Sequence, residues 1–254
     1  MFREEFLAAA NAAAAKSVFL RKNPFGYFVA SMLAGAYVGF GILLIFTIGG
    51  LLGGQPHARI LMGVSFGIAL SLVVMAGSEL FTGNNLVMGA GRLGGSVSCG
   101  DVLRVWAASY FGNWAGSFLL AALFRGAGLS TGAVESFIAA TSVAKTSAPA
   151  MQLFLRGALC NALVCLAVWC TFRCKSESGR LIMIFWCLFA FITSGYEHSI
   201  ANMTLLSVAL LAPAGVGIST GAYLYNIVMV TLGNMAGGLL LVAIPYFLIS
   251  REDA

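Results

Sequence analysis

Two glutamates, a histidine and a lysine are the residues of this chain best placed to do chemistry in an apolar setting. Glu79 and Glu197 each follow a long apolar run, in the glycine-containing polar stretches GSELFTGNN and SGYEHSIAN. His198 stands beside Glu197, and an imidazole can exchange a proton near neutral pH. Lys145 lies in AATSVAKTSAPAMQ, whose small uncharged residues predict a re-entrant loop. Together these side chains could attract an anion and handle its proton.

Each of these residues also has a purely structural interpretation. We expect the carboxylates of Glu79 and Glu197 to hold the broken loops by accepting backbone N–H groups from the opened helix ends. His198 is either a satisfied core histidine or a pore-lining donor that exchanges protons. The second role is favoured because His57, the other histidine, lies in an external loop. Lys145 is either a solvated surface charge or a positive charge that attracts anions to a pore mouth.

The composition requires that these residues be positioned by membrane-spanning helices. Of the 254 residues, 60% are hydrophobic and only 9% are charged, against about 25% charged in a soluble domain. An apolar helix crosses a bilayer in about 17 to 25 residues. We therefore predict an all-α integral membrane protein with six crossings. The predicted spans are 25–52, 60–77, 105–124, 157–172, 181–192 continuing through 204–212, and 222–250.

The basic residues predict the orientation of the chain. With the N-terminus inside, ten of the fourteen Lys and Arg residues fall on the cytoplasmic side, as the positive-inside rule requires. Both termini are then cytoplasmic, and the net charge of +5 reflects topology. We see no basic stripe with interleaved aromatic residues, so nucleic acid is not an expected partner. Residues 1–23 are predicted to form an amphipathic helix at the cytoplasmic interface, with Phe2, Phe6 and Val18 as possible anchors.

An internal repeat connects the two polar stretches. The sequence GSE at 77–79 returns as GYE at 195–197, and FGNWAG at 111–116 returns as LGNMAG at 232–237. Two copies of a three-helix unit, 24–128 and 145–250, then make a single transmembrane domain over 1–254. An odd number of crossings per copy inverts the second copy. The interruptions in spans two and five are expected to meet and shape a central site, while the repeated glycines fit close helix packing.

These stretches, with VAKTSAPA at 143–150 and GALCNALVCLAVW at 157–169, resemble the signatures of the formate/nitrite transporter family. The resemblance covers essentially the whole chain and is closest to the nitrite-channel branch. It implies a homopentamer of aquaporin-like protomers in the bacterial cytoplasmic membrane, with a central axis filled by lipid or otherwise plugged. It also implies that Lys145 attracts the anion, that His198 is the central histidine, that Thr82 is its hydrogen-bonding partner, and that Asn161 is a polar residue near it.

The same resemblance assigns two further groups of residues. It implies that Glu197 and Asn202 support the second loop. It also implies that apolar rings pinch the pore on both sides of the histidine. Those rings are formed by Phe66, Leu70, Leu80, Phe81, Val164 and Phe191.

The expected function is passage of nitrite, a small monovalent anion, as the neutral acid or together with a proton. A charged ion cannot cross apolar rings cheaply, because its desolvation costs far more than that of the neutral acid. A formate or hydrosulfide channel with the same fold is one alternative, and a neutral-solute channel of the aquaporin or ammonium type is another. We find no Walker loop, no paired nucleophile and base, and no CxxC metal site. The sequence therefore predicts no enzyme, cofactor or bound metal.

Overall fold

The computed structural model describes residues 1–53, 55–213 and 217–251, and every regular element within these ranges is helical. The predicted all-α class is therefore confirmed. Two of the helices continue into short π-helical segments, Val73–Gly77 after α4 and Leu239–Ala243 after α11. The α-helices are α1 (Arg3–Lys22), α2 (Pro24–Leu51), α3 (Ala58–Ser65), α4 (Ile68–Leu72), α5 (Phe81–Leu93), α6 (Cys99–Gly126), α7 (Gly132–Thr146), α8 (Ala150–Arg173), α9 (Glu177–Ser194), α10 (Ser199–Leu210), α11 (Thr220–Gly238) and α12 (Ile244–Ser250).

Five helical stretches within the described residues are long and apolar enough to cross a membrane, which defines a multi-pass membrane protein. The predicted span 105–124 lies in α6, which has 28 residues but is not among the five because polar and small residues lower its mean hydropathy. The predicted fifth span is divided between α9 and α10. The five stretches are Pro24–Leu51, Ala58–Gly77, Ala150–Arg173, Glu177–Ser194 and Thr220–Ser250.

The chain leaves the helical conformation at both polar stretches. At the end of the first π-helical segment, Gly77 has a φ of 80°, and Ser78 and Leu80 are extended before α5 begins. After α9, Gly195 has a φ of 76° and α10 begins four residues later. Both φ values lie in the left-handed region that glycine adopts without steric cost. Glycine therefore ends the helix at each break.

Glycines also set the closest helix contacts, between α2 and α6 and between α8 and α11. A Cβ atom added to Gly116 would overlap the backbone carbonyl of Met32, and one added to Gly237 would overlap that of Ala158. Only glycine lets two helix backbones approach this closely. The predicted packing role of the repeated glycines is thus confirmed, and these contacts lie within one chain.

Helix α1 is packed against the rest of the protein. Phe6 is 4% exposed and lies in an apolar cluster with Leu86 and Trp169. The ring of Phe2 contacts that of Tyr246, with the ring centres 6.1 Å apart. The prediction of Phe6 as a membrane anchor is therefore wrong, because its ring is already buried by protein. Of the three suggested anchors, Val18 remains an exposed apolar side chain.

Candidate functional site

The first break is held by Asn113 of α6. Its Oδ1 atom accepts a hydrogen bond from the backbone N–H of Phe81 (2.9 Å) at the start of α5. Its Nδ2 atom donates to the carbonyl oxygens of Ser31 (2.7 Å) and Glu79 (2.9 Å). One fully buried side chain therefore binds two backbone groups at the break, Phe81 N–H and Glu79 C=O, and ties them to the carbonyl of Ser31 in α2.

The second break is held in the same way by Asn234 of α11. Its Oδ1 atom accepts from the backbone N–H of Ser199 (2.8 Å), and its Nδ2 atom donates to the carbonyl oxygens of Gly157 (2.8 Å) and Glu197 (2.9 Å). Asparagine side chains, rather than the glutamate carboxylates, thus bind the backbone at both breaks. The repeated Gly-Asn-x-Ala-Gly motif contains both asparagines, although its glycine spacing by itself predicts only helix packing.

The Glu79 carboxylate accepts hydrogen bonds only from side chains in the described residues. Lys16 of α1 places its Nζ atom 2.7 Å from Oε1 and 2.6 Å from Oε2. The hydroxyl of Tyr27 donates to Oε2 at 2.8 Å, and Asn84 Nδ2 donates to the same oxygen at 3.2 Å. The expectation that this carboxylate caps backbone N–H groups is therefore wrong, because a lysine, a tyrosine and an asparagine occupy its oxygens.

The Glu197 carboxylate has a corresponding set of partners. Lys145 Nζ and Asn202 Nδ2 each lie 2.7 Å from its Oε2 atom. Asn202 also donates to Asn226 Oδ1 (2.8 Å). The side chain of Glu197 is 4% exposed and that of Lys145 is 19% exposed. The lysine is therefore a largely buried partner of Glu197 and not a solvated surface charge.

The predicted re-entrant loop around Lys145 is wrong. Lys145 occupies the last turn of α7, and the helix continues to Thr146. The N-terminal part of α7 is fixed by an ion pair, in which Glu135 Oε1 lies 3.0 Å from Nη2 of Arg125 in α6. The small residues around Lys145 include several alanines, and alanine is the strongest helix former.

His198 is the last residue of the second break, faces Thr82 of α5, and is 4% exposed. Its Nδ1 atom accepts a hydrogen bond from the backbone N–H of Ala201 (3.1 Å), so the ring caps the N-terminus of α10. Because Nδ1 is an acceptor, the ring proton belongs on Nε2, which lies 3.0 Å from Thr82 Oγ1 and donates to it. The hydrogen-bond geometry therefore assigns a neutral imidazole with a single, fixed tautomer.

Three cavities follow one another past this histidine. The central cavity measures about 10 Å³, on the scale of a single water molecule. It shares Phe191 and His198 with a cavity of about 560 Å³ that contains Lys145, named here the Lys145 cavity. It shares Leu70 and Leu80 with a cavity of about 420 Å³ that contains Lys16, the Lys16 cavity. The three therefore lie in a row with the smallest in the middle, and the row is named here the path and its central cavity the waist.

Five of the six predicted constriction residues line the central cavity, namely Phe66, Leu70, Leu80, Val164 and Phe191. The Phe66 and Phe191 rings meet edge to face with their centres 5.4 Å apart, and the Phe191 ring stacks on His198 at 6.0 Å. The structure does not bring Phe81 to this wall. Its ring packs on Trp106 and Tyr110 of α6, with its centre 6.4 Å and 5.0 Å from theirs.

Asn161 lies behind the cavity wall. Its Nδ2 atom donates to Asn85 Oδ1 (2.9 Å) and to the carbonyl oxygens of Asn234 (2.6 Å) and Thr82 (3.4 Å). It is fully buried and lines none of the three cavities. The structure thus joins Asn161 to both halves of the site as a structural link, without placing it on the path itself.

No group of three or more His, Cys, Asp or Glu side chains in the described residues is arranged to hold a metal ion. Most polar groups of the site instead bond to one another and to the backbone of the two breaks, while Asn161 Oδ1 and Asn85 Nδ2 are buried without a partner among the described residues. What remains for a solute is a pair of cavities with one lysine and one glutamate each, joined through an apolar waist that contains a neutral histidine. This arrangement is suited to permeation.

Comparison with known proteins also indicates a protein of the channel and transporter class. The family model described as formate/nitrite transporter matches residues 4–248. The nitrite transporter NirC of Escherichia coli is 43% identical over 249 residues, which cover 97% of this chain and 92% of that protein. A solved FNT family ion channel superposes with a TM-score of 0.93 at 40% identity, covering 97% of this chain and 99% of that one.

A second solved structure, a pentameric formate channel with formate bound, gives a TM-score of 0.79 at 28% identity and covers 90% of this chain and 98% of that one. The chain belongs to the formate/nitrite transporter family. Its relatives are named as transporters and channels. The family resemblance stated from the sequence is confirmed.

Proposed function

We propose that this protein is a nitrite channel in which the anion crosses the waist as nitrous acid, or together with a proton. The observation that carries the proposal is the neutral His198 in a water-sized, otherwise apolar cavity between two larger cavities with ionic side chains. The choice of nitrite is supported by 43% identity to NirC over nearly the full chain.

The waist opposes the charged form of the substrate. Phe66, Leu80 and Phe191 offer no hydrogen bonds, so an anion between them loses its hydration without replacement. Desolvation of an isolated ion costs far more than desolvation of a neutral polar molecule. A proton gained before the waist removes most of this barrier, and its release on the other side regenerates the anion.

His198 serves the neutral acid as a polar neighbour, and the proton comes from water in the larger cavities. An added proton on Nδ1 would point at the Ala201 N–H and break the cap of α10. The polar edge of the ring, at Nε2, is oriented by Thr82. Thr82 accordingly fixes the ring and Asn161 links the two breaks, whereas Lys145 draws the anion into its cavity.

The proposed architecture follows the repeat. The matched bonds of Asn113 and Asn234, and the matched ion pairs of Glu79 and Glu197, support two inverted three-helix units at 24–128 and 145–250 in one aquaporin-like domain of six crossings. Residues 1–23 complete the cytoplasmic face. The basic residues support cytoplasmic termini in a bacterial inner membrane, and the pentameric relative supports a homopentamer. Lipid is proposed to surround the assembly.

Uptake by proteoliposomes tests this function. Purified protein is reconstituted with an internal pH dye, and nitrite, formate, hydrosulfide and chloride are supplied in turn to the wild type and to His198→Phe. Nitrite uptake with internal acidification, little chloride flux and roughly tenfold slower nitrite uptake in the variant, equal to a lost hydrogen bond of about 1.4 kcal/mol, are expected. A preference for formate or hydrosulfide would assign another cargo. Equal flux of chloride and nitrite without acidification would overturn the neutral-acid passage.

A further inference from the structure

Two arginines, Arg59 and Arg156, line the Lys145 cavity beside the second break. Arg59 lies in the first turn of α3, and its Nη1 atom would be 3.5 Å from a Cβ atom added to Gly195. Arg156 lies in α8, and its carbonyl oxygen accepts a hydrogen bond from the backbone N–H of Glu197 (3.3 Å). Both residues therefore lie against the same loop that carries the lysine's partner.

Neither arginine is neutralised by a carboxylate from the part of the chain that the structure describes. Within the described ranges of the chain, no acidic oxygen lies within 4.0 Å of either guanidinium. The side-chain contact of Arg156 is with Gln152 Oε1, at 3.4 Å. Lys145, by contrast, is paired with Glu197. The two guanidinium groups are therefore the uncompensated charges of this cavity.

The two large cavities consequently differ in charge. The Lys145 cavity is lined by Arg59, Lys145 and Arg156 against the single carboxylate of Glu197, a formal excess of two positive charges. The Lys16 cavity is lined by Lys16 against Glu79, which leaves no excess. A concave site lined by one sign of charge concentrates ions of the opposite sign. An anion should therefore be concentrated more strongly in the Lys145 cavity than in the Lys16 cavity.

We infer that Arg59 and Arg156 form an anion-collecting site at the mouth of the Lys145 cavity, which takes small planar anions with two oxygen atoms. The inference rests on the proposed function and adds a binding site to it. A guanidinium can bind two oxygens of one anion through parallel N–H groups, whereas an ammonium acts as a point charge. Nitrite and formate offer that pair of oxygens, and hydrosulfide and chloride do not.

The site changes how the path fills without setting the direction of net flow, which follows the gradients. An anion held at the mouth raises occupancy at low concentration, so the half-saturating concentration from the Lys145 side falls. Surface charges are screened over about 10 Å at 0.1 M salt and about 3 Å at 1 M. The advantage given by the exposed arginines should therefore fade as salt is added.

The test compares half-saturating nitrite concentrations in proteoliposomes of known orientation, at about 0.02 M and about 0.5 M salt. The variants are Arg59→Gln, Arg156→Gln, their double variant, and the double variant with Lys at both positions. Arg104→Gln is the matched control, because it removes an exposed arginine of α6 that lines none of the three cavities. Hydrosulfide is measured beside nitrite.

With substrate on the Lys145 side at low salt, the double Gln variant should raise the half-saturating nitrite concentration roughly tenfold, and high salt should reduce the difference. The double Lys variant should restore hydrosulfide uptake more fully than nitrite uptake, and it serves alone if the Gln variants fail to assemble. Unchanged nitrite saturation in either double variant would overturn the inference and leave the channel function standing. Absence of nitrite uptake by the wild type would instead overturn the proposed function.

Discussion

The imidazole of His198 accepts a hydrogen bond through Nδ1 from the backbone N–H of Ala201, at 3.1 Å. The same side chain therefore caps a helix and forms part of the narrowest cavity. These two roles can be separated by substitution, because asparagine also caps helices well whereas phenylalanine does not.

His198→Phe should lower the free energy of unfolding by about 1 kcal/mol through loss of the cap, and His198→Asn should recover most of it. Both variants should slow nitrite uptake, because neither places a ring nitrogen in the central cavity. Thermal unfolding in detergent and uptake by proteoliposomes measure the two effects. Full uptake by His198→Asn would contradict a role for the ring in permeation.

The asparagines at the breaks should matter more for stability than any exposed cap. Asn234→Ala removes the partner of the Ser199 N–H and that of the Glu197 carbonyl, both at the break. Each group costs about 1 to 3 kcal/mol when it is left buried and unsatisfied. Asn113→Ala should lower the stability by a similar amount, because Asn113 holds the first break in the same way. Ser176→Ala, which removes an exposed cap of α9, is the control and should cost about 1 kcal/mol. Equal losses in unfolding temperature for all three variants would contradict the assignment.

The ion pair of Lys145 and Glu197 should be costly to break from one side. Lys145→Met leaves a buried carboxylate with Asn202 as its remaining partner and should destabilise the fold by about 3 kcal/mol. Combining it with Glu197→Gln removes the uncompensated charge and should restore most of that loss. Thermal unfolding of the two single variants and the double variant measures the coupling. Simple additivity of the two losses would show that the residues do not interact.

Asp101 connects helices α1 and α6 and should keep them connected over the physiological pH range. Hydrogen bonds from Ser98 and Ser17 lower the pKa of its carboxyl to about 2 from a usual 3.8. Because the folded-state pKa is the lower one, this contribution to stability is complete above about pH 4 and is lost as the pH falls toward 2. Hydrogen exchange of α1 should therefore accelerate in this acidic range in the wild type.

Asp101→Asn is the matched variant for that measurement. It keeps the shape of the side chain but cannot carry the charge, so its α1 should exchange faster at pH 7 and respond little to acid between pH 4 and 2. Acceleration of the wild-type helix already near pH 6 would point to a different titrating group.

The glycine contacts provide a test of packing. Gly237→Ala places a methyl group against the Ala158 carbonyl and should destabilise the protein by about 1 to 3 kcal/mol. Gly126→Ala is the control, because nothing lies within 4 Å of its added Cβ and alanine suits a helix better. It should leave the unfolding temperature unchanged or raise it. A similar response in both variants would argue against close contact between α8 and α11.

The two breaks could be predicted because glycine and polar residues interrupt otherwise apolar runs, a pattern with few alternatives in a membrane protein. The ion pairs could not be predicted from the sequence. Lys16 and Glu79 are 63 residues apart and Lys145 and Glu197 are 52 apart, and a comparison of repeats matches equivalent residues rather than partners. The repeat did contain Asn113 and Asn234. The glycines around these asparagines are a sufficient reason for the motif to repeat, because they allow close helix packing. The motif therefore does not indicate that the asparagines bind the breaks.

Phe81 and Leu80 show a second feature of the site that the sequence does not predict, namely which side chains face the cavity. They are neighbours in one apolar pair, and only the register at which α5 begins decides which faces the cavity. Leu80 lines it in the extended segment, and Phe81 turns toward α6 as the first helical residue. Composition and spacing contain no information about that register. The same holds for Asn161, whose depth behind Thr82 depends on how α8 is rotated.

The contacts of α1 with the C-terminal helix bear on biosynthesis. Phe2 and Phe6 meet Tyr246 and Phe247, and Lys16 pairs with Glu79. Each of these contacts joins α1 to a segment that is far away in the sequence. They can form only after the intervening helices have been synthesised and inserted, so the docking of α1 is a late step of folding.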